Sequence, residues 1–374
     1  MTTIGFDATP LLGQRSGVGH YTKRLIAAIM GLAPDWEVQL YTNRPLGELD
    51  HGLRDAQEID AYLPASRWLW MQFVLPQAIA QRQPDLVHYT NALAPVRHAR
   101  PYVVTIHDAS LFLYSHYHPR SRIAAMRLLL PTVARRAAAV IVPTQVARRD
   151  LLVTLHLPPE RVHVVYEAAP DWFERVQEPA QLDELRRRYA LPPEFVLCVG
   201  TLEPRKNLER LIMALGELHR RGRRVPLVLV GPSGWHLGGR GGLSDMVNAA
   251  GMDGYVHYLG YVPTADLPGL LSLATVFAFP SLYEGFGLPA VEAMACGAAI
   301  LTSRNTAMAE VCGDAAHLID PTSVDDIAAG LEQLLDDPAL RHCLKRRGPQ
   351  QASLYSWERA AAETIAIYRQ VLGQ

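Results

Sequence analysis

Residues 281–297 read SLYEGFGLPAVEAMACG, and the succession of residue types in this stretch governs how the rest of the chain is read. The apolar run VFAFPS at 276–281 precedes it, Pro289 stands where a first helical turn begins, and Gly297 stands where that helix stops. The order is strand, loop, helix. The backbone N–H groups of Gly285, Phe286, Gly287 and Leu288 then lie at a helix N-terminus, where unpaired donors and the helix dipole favour an anion such as phosphate. Glu292 falls about one turn inside the helix, within reach of sugar hydroxyls beside that phosphate, and Glu284 stands before it. A phosphate cradle with an acid on either side suggests a sugar nucleotide. An ordinary helix cap with a surface Glu is the plainer alternative.

At 374 residues the chain is long for one core, so two domains are expected. Hydrophobic residues at 49% and charged residues at 20% describe a globular protein with a large core. A net charge of -1 argues against a strongly basic nucleic-acid binder. Cys198, Cys296, Cys312 and Cys343 are scattered and out of metal-ligand spacing, so they read as core residues in a reducing compartment. The start MTTIGFDATP lacks a basic stretch followed by an apolar one, and no uncharged apolar segment reaches the ~18 residues that cross a bilayer. A cytoplasmic location is the expectation.

Short β-rich apolar runs alternate with helical patterns, the mark of an α/β protein with parallel sheets. The patterns predict strands near 2–6, 37–42, 85–89, 102–106, 139–143 and 162–166, then near 195–199, 226–230, 256–259, 275–279 and 298–302. Two strand–helix series imply two doubly wound domains. The stretch 167–194 is rich in proline and charge, as a linker running into a short helix is, and places the cut near 185. A last helical pattern covers 357–372.

Three further strand ends carry chemistry-bearing residues. In 8–29, Gly17 and Gly19 precede an amphipathic pattern and would let backbone approach a phosphate, although a plain tight turn reads equally well. The third glycine of a dinucleotide fingerprint is replaced by Thr22. In FVLCVGTLEPRKNLERL at 195–211, Arg205 and Lys206 sit in the loop where α/β sheets bind ligands, placed to neutralise a diphosphate, with Asn207 as N-cap. Two solvated loop cations are the alternative. His107 in HDAS, directly after YVVTI, is a candidate for contact with a reacting sugar, or a structural histidine; His88 meets the same test less well. There is no Asp-x-Asp and no His-Glu-x-x-His, so any diphosphate would be neutralised by cations and amides. The arginines at 120, 122, 127, 135, 136, 148 and 149 form a basic surface that can lie against the inner membrane surface, and solvated helix faces explain them as well. The cluster WLWMQF at 68–73 is either core or an acceptor-side surface.

Taken together, SGVGHYT, VTIHDAS, ARRDLL with ERVHVVY, GTLEPRKNLERLI, LGYV and FPSLYEGFGLPAVEAMACG resemble the retaining glycosyltransferases of family 4, most of all bacterial mannosyltransferase-like members. The likeness spans nearly the whole chain, and the Glu284–Glu292 spacing with the Arg205–Lys206 pair is its most specific part. It implies the GT-B fold: two Rossmann-like doubly wound domains facing a cleft. An acceptor-binding domain would cover 1–184 and a nucleotide-sugar-binding domain 185–356, with a helix at 357–374 packing back on the first. It implies that Arg205 and Lys206 clamp the departing diphosphate and that Glu292 binds ribose hydroxyls. Glu284 and the amides of Phe286, Gly287 and Leu288 would hold hexose and phosphate. Gly17 would bring its amide near the phosphate, His107 would approach the hexose, and Tyr261 and Val262 would lie by the base. No metal or cofactor is implied, and the partners are a nucleotide sugar, with GDP-mannose before UDP-glucose, and a glycan or lipid-linked acceptor of a surface polysaccharide. VVYEAAP at 164–170 departs from the family, many of whose members carry Asn-Gly after the Tyr; its place near the hinge suggests little effect on chemistry. The competing classes are a nicotinamide-dependent oxidoreductase and a non-catalytic nucleotide-sugar binder.

Overall fold

The computed structural model describes residues 2–13, 17–47, 51–63, 66–118, 120–232 and 242–374. Contacts divide the chain into two compact units, Met1–Glu167 with Ser356–Gln374, and Ala168–Tyr355. Each is built on one parallel sheet.

The first unit holds β1 (Thr3–Asp7), β2 (Glu37–Tyr41), β3 (Gln57–Ile59), β4 (Leu86–Tyr89), β5 (Tyr102–Thr105), β6 (Ala139–Val142) and β7 (Val162–Val164). They lie in the order β3-β2-β1-β4-β5-β6-β7. The second holds β8 (Val196–Val199), β9 (Leu227–Val230), β10 (Val256–Gly260), β11 (Val276–Phe279), β12 (Ile300–Ser303) and β13 (Ala316–Ile319), in the order β10-β9-β8-β11-β12-β13. Strands β4, β5, β6, β9, β11 and β12 are buried along their whole length, which is why β6, β9 and β11 read as unbroken apolar runs and the others as apolar runs carrying a buried His88, Thr105, Thr302 or Ser303. The sequence pattern does not mark β3 and β13. QEI at β3 exposes its first residue at a sheet edge and AHLI at β13 carries a histidine and is only half buried, so neither carries the signal of a strand covered on both faces.

In each sheet the order reverses once, between β1 and β4 and between β8 and β11. At such a switch point the connections leave in opposite directions, and the loops at the C-terminal ends of the two strands open a crevice. In the second unit those are the loops after β8 and β11, which hold Arg205, Lys206 and Glu284.

The core of the second unit lies between this sheet and the helices Leu208–Arg220 and Val324–Asp336, with Leu211, Ile212, Leu215, Leu227, Leu229, Ala278, Leu301, Ile327 and Leu331 all fully buried. The cut expected at 185 falls earlier, after Glu167. Helix Pro179–Arg188, for all its charge, buries Leu185 beside Gly269 of helix Leu267–Leu273, where an added methyl would meet Leu185 Cδ1. The N–H of Val176 also donates to Ser272 Oγ at 3.0 Å. The apparent linker is thus anchored to the second unit by buried Leu185, by this hydrogen bond and by the ion pair of Arg188 with Asp266 at 3.0 Å. At the far end, helix Trp357–Leu372 belongs to the first unit. It lies along helix Gly17–Leu32, and Tyr368 O–H and His88 Nδ1 are hydrogen-bonded at 2.6 Å.

Candidate active site

The centre of the second unit's crevice is a buried ion cluster. The tripeptide Pro204–Lys206 forms a 3-10 turn after β8, opened by Pro204 and closed by Asn207, whose φ of +62° is one that Asn tolerates better than most residues. Asn207 occupies the N-cap position of helix Leu208–Arg220, but its side chain makes no cap bond. Instead the buried amide donates to the carbonyls of Pro280 at 3.0 Å and Pro321 at 2.6 Å and accepts from Arg210 Nη1 at 2.9 Å. It ties the loops after β8, β11 and β13 into one frame, a role sequence reading misses because the partners lie 73 and 114 residues away.

In that frame Glu284 takes Arg205 Nη1 on Oε2 at 2.8 Å and Lys206 Nζ on Oε1 at 2.7 Å. Arg205 also donates to the Tyr283 carbonyl at 2.8 Å and to Glu203 Oε1 at 2.7 Å, and Lys206 Nζ sits 4.6 Å from the centroid of the Phe279 ring. Burial would raise the Glu284 pKa, but the two cations outweigh it and bring it to about 2. Glu284 is therefore an anion with both oxygens engaged, and Glu203, assigned no part by sequence reading, completes the balance of two acids against two bases. The cations are half-buried fixtures and not solvated loop residues.

Four residues after Glu284, helix Leu288–Ala295 begins, with Pro289 in its first turn and Gly297 just past its end at φ +64°. Gly287 caps it at φ +92°, and a Cβ there would sit 2.1 Å from Met308 Cε, so only glycine fits. The N–H groups of Phe286, Gly287 and Leu288 bond to no acceptor among the described residues. Phe286 is held in the core, edge-on to Tyr355 at 5.7 Å. Glu292, half-buried on this helix, meets no hydrogen-bond partner among the described residues, and burial alone pushes its carboxyl up to about 8. At neutral pH it carries a proton unless donors come to it. Tyr261, beyond the edge strand β10, is 58% exposed, whereas Val262 is buried.

In the first unit, Gly17 opens helix Gly17–Leu32 and is exposed, with open space where a Cβ would stand; Ser16 lies outside the described residues. His107, after β5, has its Nε2 2.9 Å from the Thr90 carbonyl and its Nδ1 2.9 Å from Glu167 Oε1. Burial alone would lower its pKa, but the hydrogen bond and charge of Glu167, helped by the Thr90 carbonyl and Asp108, raise it. Sequence reading did not pair Glu167 with His107, although Glu167 stands in the family departure at VVYEAAP.

Three arginines of the basic stretch bind backbone carbonyls, and Arg149 pairs with Asp150. Arg136 Nη1 donates to Val96 O at 2.8 Å, Arg148 to Val162 O and Pro159 O at 2.9 Å each, and Arg135 to Leu155 O at 3.4 Å. The side chains of Arg120 and Arg122 lie outside the described residues. Of WLWMQF, Trp70 and Met71 are core, with Trp70 Nε1 bonded to Ala61 O, while Trp68, Leu69 and Phe73 are exposed. Among the described residues no helix is long and apolar enough to cross a membrane.

Comparison with known proteins places these sites in context. The family model described as "Glycosyl transferases group 1" matches residues 183–351, and that described as "Glycosyltransferase Family 4" matches residues 15–169. O-antigen chain mannosyltransferase B of Escherichia coli is 36% identical over 287 residues, 76% of this chain and 74% of that protein. Alpha-D-kanosaminyltransferase of Streptomyces kanamyceticus is 30% identical, over 72% and 71% of the two chains. Among solved structures, sucrose-phosphate synthase from Thermosynechococcus elongatus superposes over 100% of both chains with a TM-score of 0.79 at 19% identity.

Proposed function

The chain belongs to the glycosyltransferases of family 4, with the GT-B fold, and on that premise we propose that it transfers mannose from GDP-mannose to a glycan or lipid-linked acceptor in the synthesis of a surface polysaccharide. Transfer retains the anomeric configuration and needs no metal ion. The observation that carries this reading is the buried Arg205–Glu284–Lys206 cluster at the β8/β11 switch point, beside the three N–H groups of residues 286–288 that meet no acceptor among the described residues.

Glycosyl transfer develops positive charge on the sugar ring and negative charge on the departing diphosphate. Cations fixed in place by Glu203 and Glu284 cost no reorganisation when that charge appears, and each good donor in a dry site contributes ~3 kcal/mol. Arg205, Lys206 and the amides of Phe286, Gly287 and Leu288 are the donors. Glu292 takes the ribose hydroxyls, whose two donors suit a carboxyl that has no hydrogen-bond partner among the described residues. Glu284, with both oxygens on cations and a strongly depressed pKa, is a poor nucleophile, which favours attack from the leaving-group face with the departing phosphate taking the acceptor's proton. Gly17 and His107 serve the donor from the first unit, and the exposed Tyr261 lies by the base. The mannose assignment rests on the mannosyltransferase at 36% identity; the kanosaminyltransferase at 30% belongs to the same range of likeness with another sugar.

The test is a panel of GDP-, UDP- and ADP-sugars, with and without a chelator, read by thermal shift and nucleotide release, followed by the anomeric configuration of the product by NMR. Stabilisation by GDP-mannose with slow release of GDP, unchanged by chelator, and an α-linked product support the assignment. A shift with NAD and none with any sugar nucleotide overturns it.

A further inference from the structure

His107 has acceptors on both sides. The Thr90 oxygen is a carbonyl and can only accept, so Nε2 carries a proton. Glu167, 5% exposed in its side chain, presents an oxygen 2.9 Å from Nδ1. A neutral imidazole would turn one lone pair toward an oxygen lone pair. The ion pair instead gives both nitrogens a donor role.

The surroundings fix the ring. Tyr21 of helix Gly17–Leu32 meets it edge-on at 4.7 Å and 90°, and Tyr21 O–H is hydrogen-bonded to Thr105 Oγ1 at 2.9 Å. Thr105 Oγ1 lies 2.8 Å from His88 Nε2, and His88 reaches Tyr368 of the C-terminal helix. The charged and titratable groups facing His107 are Glu167 after β7, Asp108 after β5, His88 on β4 and Tyr21. Burial pushes His88 down to about 3, so of the two imidazoles only His107 carries charge. Asp108, whose carboxylate accepts Ser110 N–H at 2.8 Å, adds negative charge of the same sense as Glu167.

We propose that Glu167 is a positioning residue that holds His107 as a doubly donating imidazolium, so that the ring is fixed with both nitrogens committed and His107 meets the transferred hexose through its ring surface and not through a nitrogen. The proposal rests on the reading above that His107 faces the hexose. A sugar hydroxyl can take a nitrogen of His107 only by displacing Thr90 or Glu167. Transfer then requires the ring held by both hydrogen bonds and declines as pH rises through its pKa, where the bond to residue 167 is lost, and a neutral residue at 167 brings that decline to lower pH.

The experiment combines nitrogen-15 NMR of the histidines in the full chain with kcat and KM against pH for the wild type, E167Q, E167D and H107F. In the wild type both His107 nitrogens carry protons at pH 7. In E167Q, His107 is mostly neutral at pH 7, so kcat at pH 8 falls at least about twentyfold relative to pH 6 while the donor KM holds, following the protonated fraction of the ring. E167D restores most of the loss. A neutral His107 in the wild type, or an E167Q pH profile matching the wild type, overturns the positioning role. Full activity in H107F with an NMR-verified imidazolium in the wild type overturns the reading that His107 faces the hexose, so the two failures are told apart. The wild-type spectrum decides the protonation state even if a variant does not fold.

Discussion

Replacing Glu284 by Gln keeps the shape of the ion cluster and removes its anion. Glu284 is 6% exposed and its pKa falls from 4.5 to about 2, a displacement worth roughly 3 kcal/mol of folding stability. Because the folded pKa is the depressed one, this contribution is complete above the unfolded value and is lost as pH falls through the folded value; roughly 2 of the 3 kcal/mol are gone by pH 3. E284Q leaves Arg205 with Glu203 and the Tyr283 carbonyl, and Lys206 with the Phe279 ring. Its cost at pH 7 therefore lies near the low end of the ~3–5 kcal/mol typical of breaking a buried pair. Hydrogen exchange on peptides covering 195–212 and 276–297 measures the effect within the second unit, avoiding the assumption that both units unfold together. The wild-type advantage should be about 3 kcal/mol at pH 7 and shrink steadily below pH 4.5. Equal protection of the two proteins at pH 7, or a difference that persists undiminished at pH 2, would show that the cations do not hold the folded state through Glu284.

Three other perturbations read separate parts of the site. N207A removes the donors to Pro280 and Pro321 and places Ala at φ +62°, so unfolding of the second unit should become easier by about 2–4 kcal/mol, with donor KM raised; a change below ~0.5 kcal/mol by denaturant titration would contradict the framing role. G287A forces a methyl against Met308 in a left-handed backbone, at a cost of about 2–4 kcal/mol, and G287A/M308A should recover part of the donor affinity if the clash with Met308 is what displaces the amides. Glu292, raised to about 8, must lose its proton to accept from a ribose diol, so nucleotide affinity should climb with pH up to about 8, with proton release visible by calorimetry in buffers of different ionisation enthalpy; E292Q should bind more weakly without that release.

Much of the site was legible because it is local. Pro289, Gly297 and the apolar run before Ser281 are neighbours in the chain, and their backbone preferences produce the strand–loop–helix wherever the segment sits. Arg205 and Lys206 were legible as strand-end cations for the same reason. Glu203, Asn207 and Glu167 were not read correctly. Their roles depend on atoms far away in sequence: Asn207 on carbonyls of two other loops, and Glu167 on a histidine 60 residues earlier. The domain cut slipped because proline and charge describe the outer face of 168–188, while a few scattered contacts, buried Leu185 against Gly269 and Arg188 with Asp266 among them, decide which unit the segment joins.

From its residues alone this chain determined two parallel-sheet units and the helix N-terminus that can receive an anion, since apolar runs, prolines and glycines act over a few residues. Tertiary structure alone decided charge state. It buried Glu284 between two cations and Glu292 beside none, and so pushed two carboxyls of one motif to about 2 and about 8. It set Glu167 against His107 and raised the imidazole. Ionisation depends on which charges and how much water stand within a few ångströms, and only the folded chain brings those partners together.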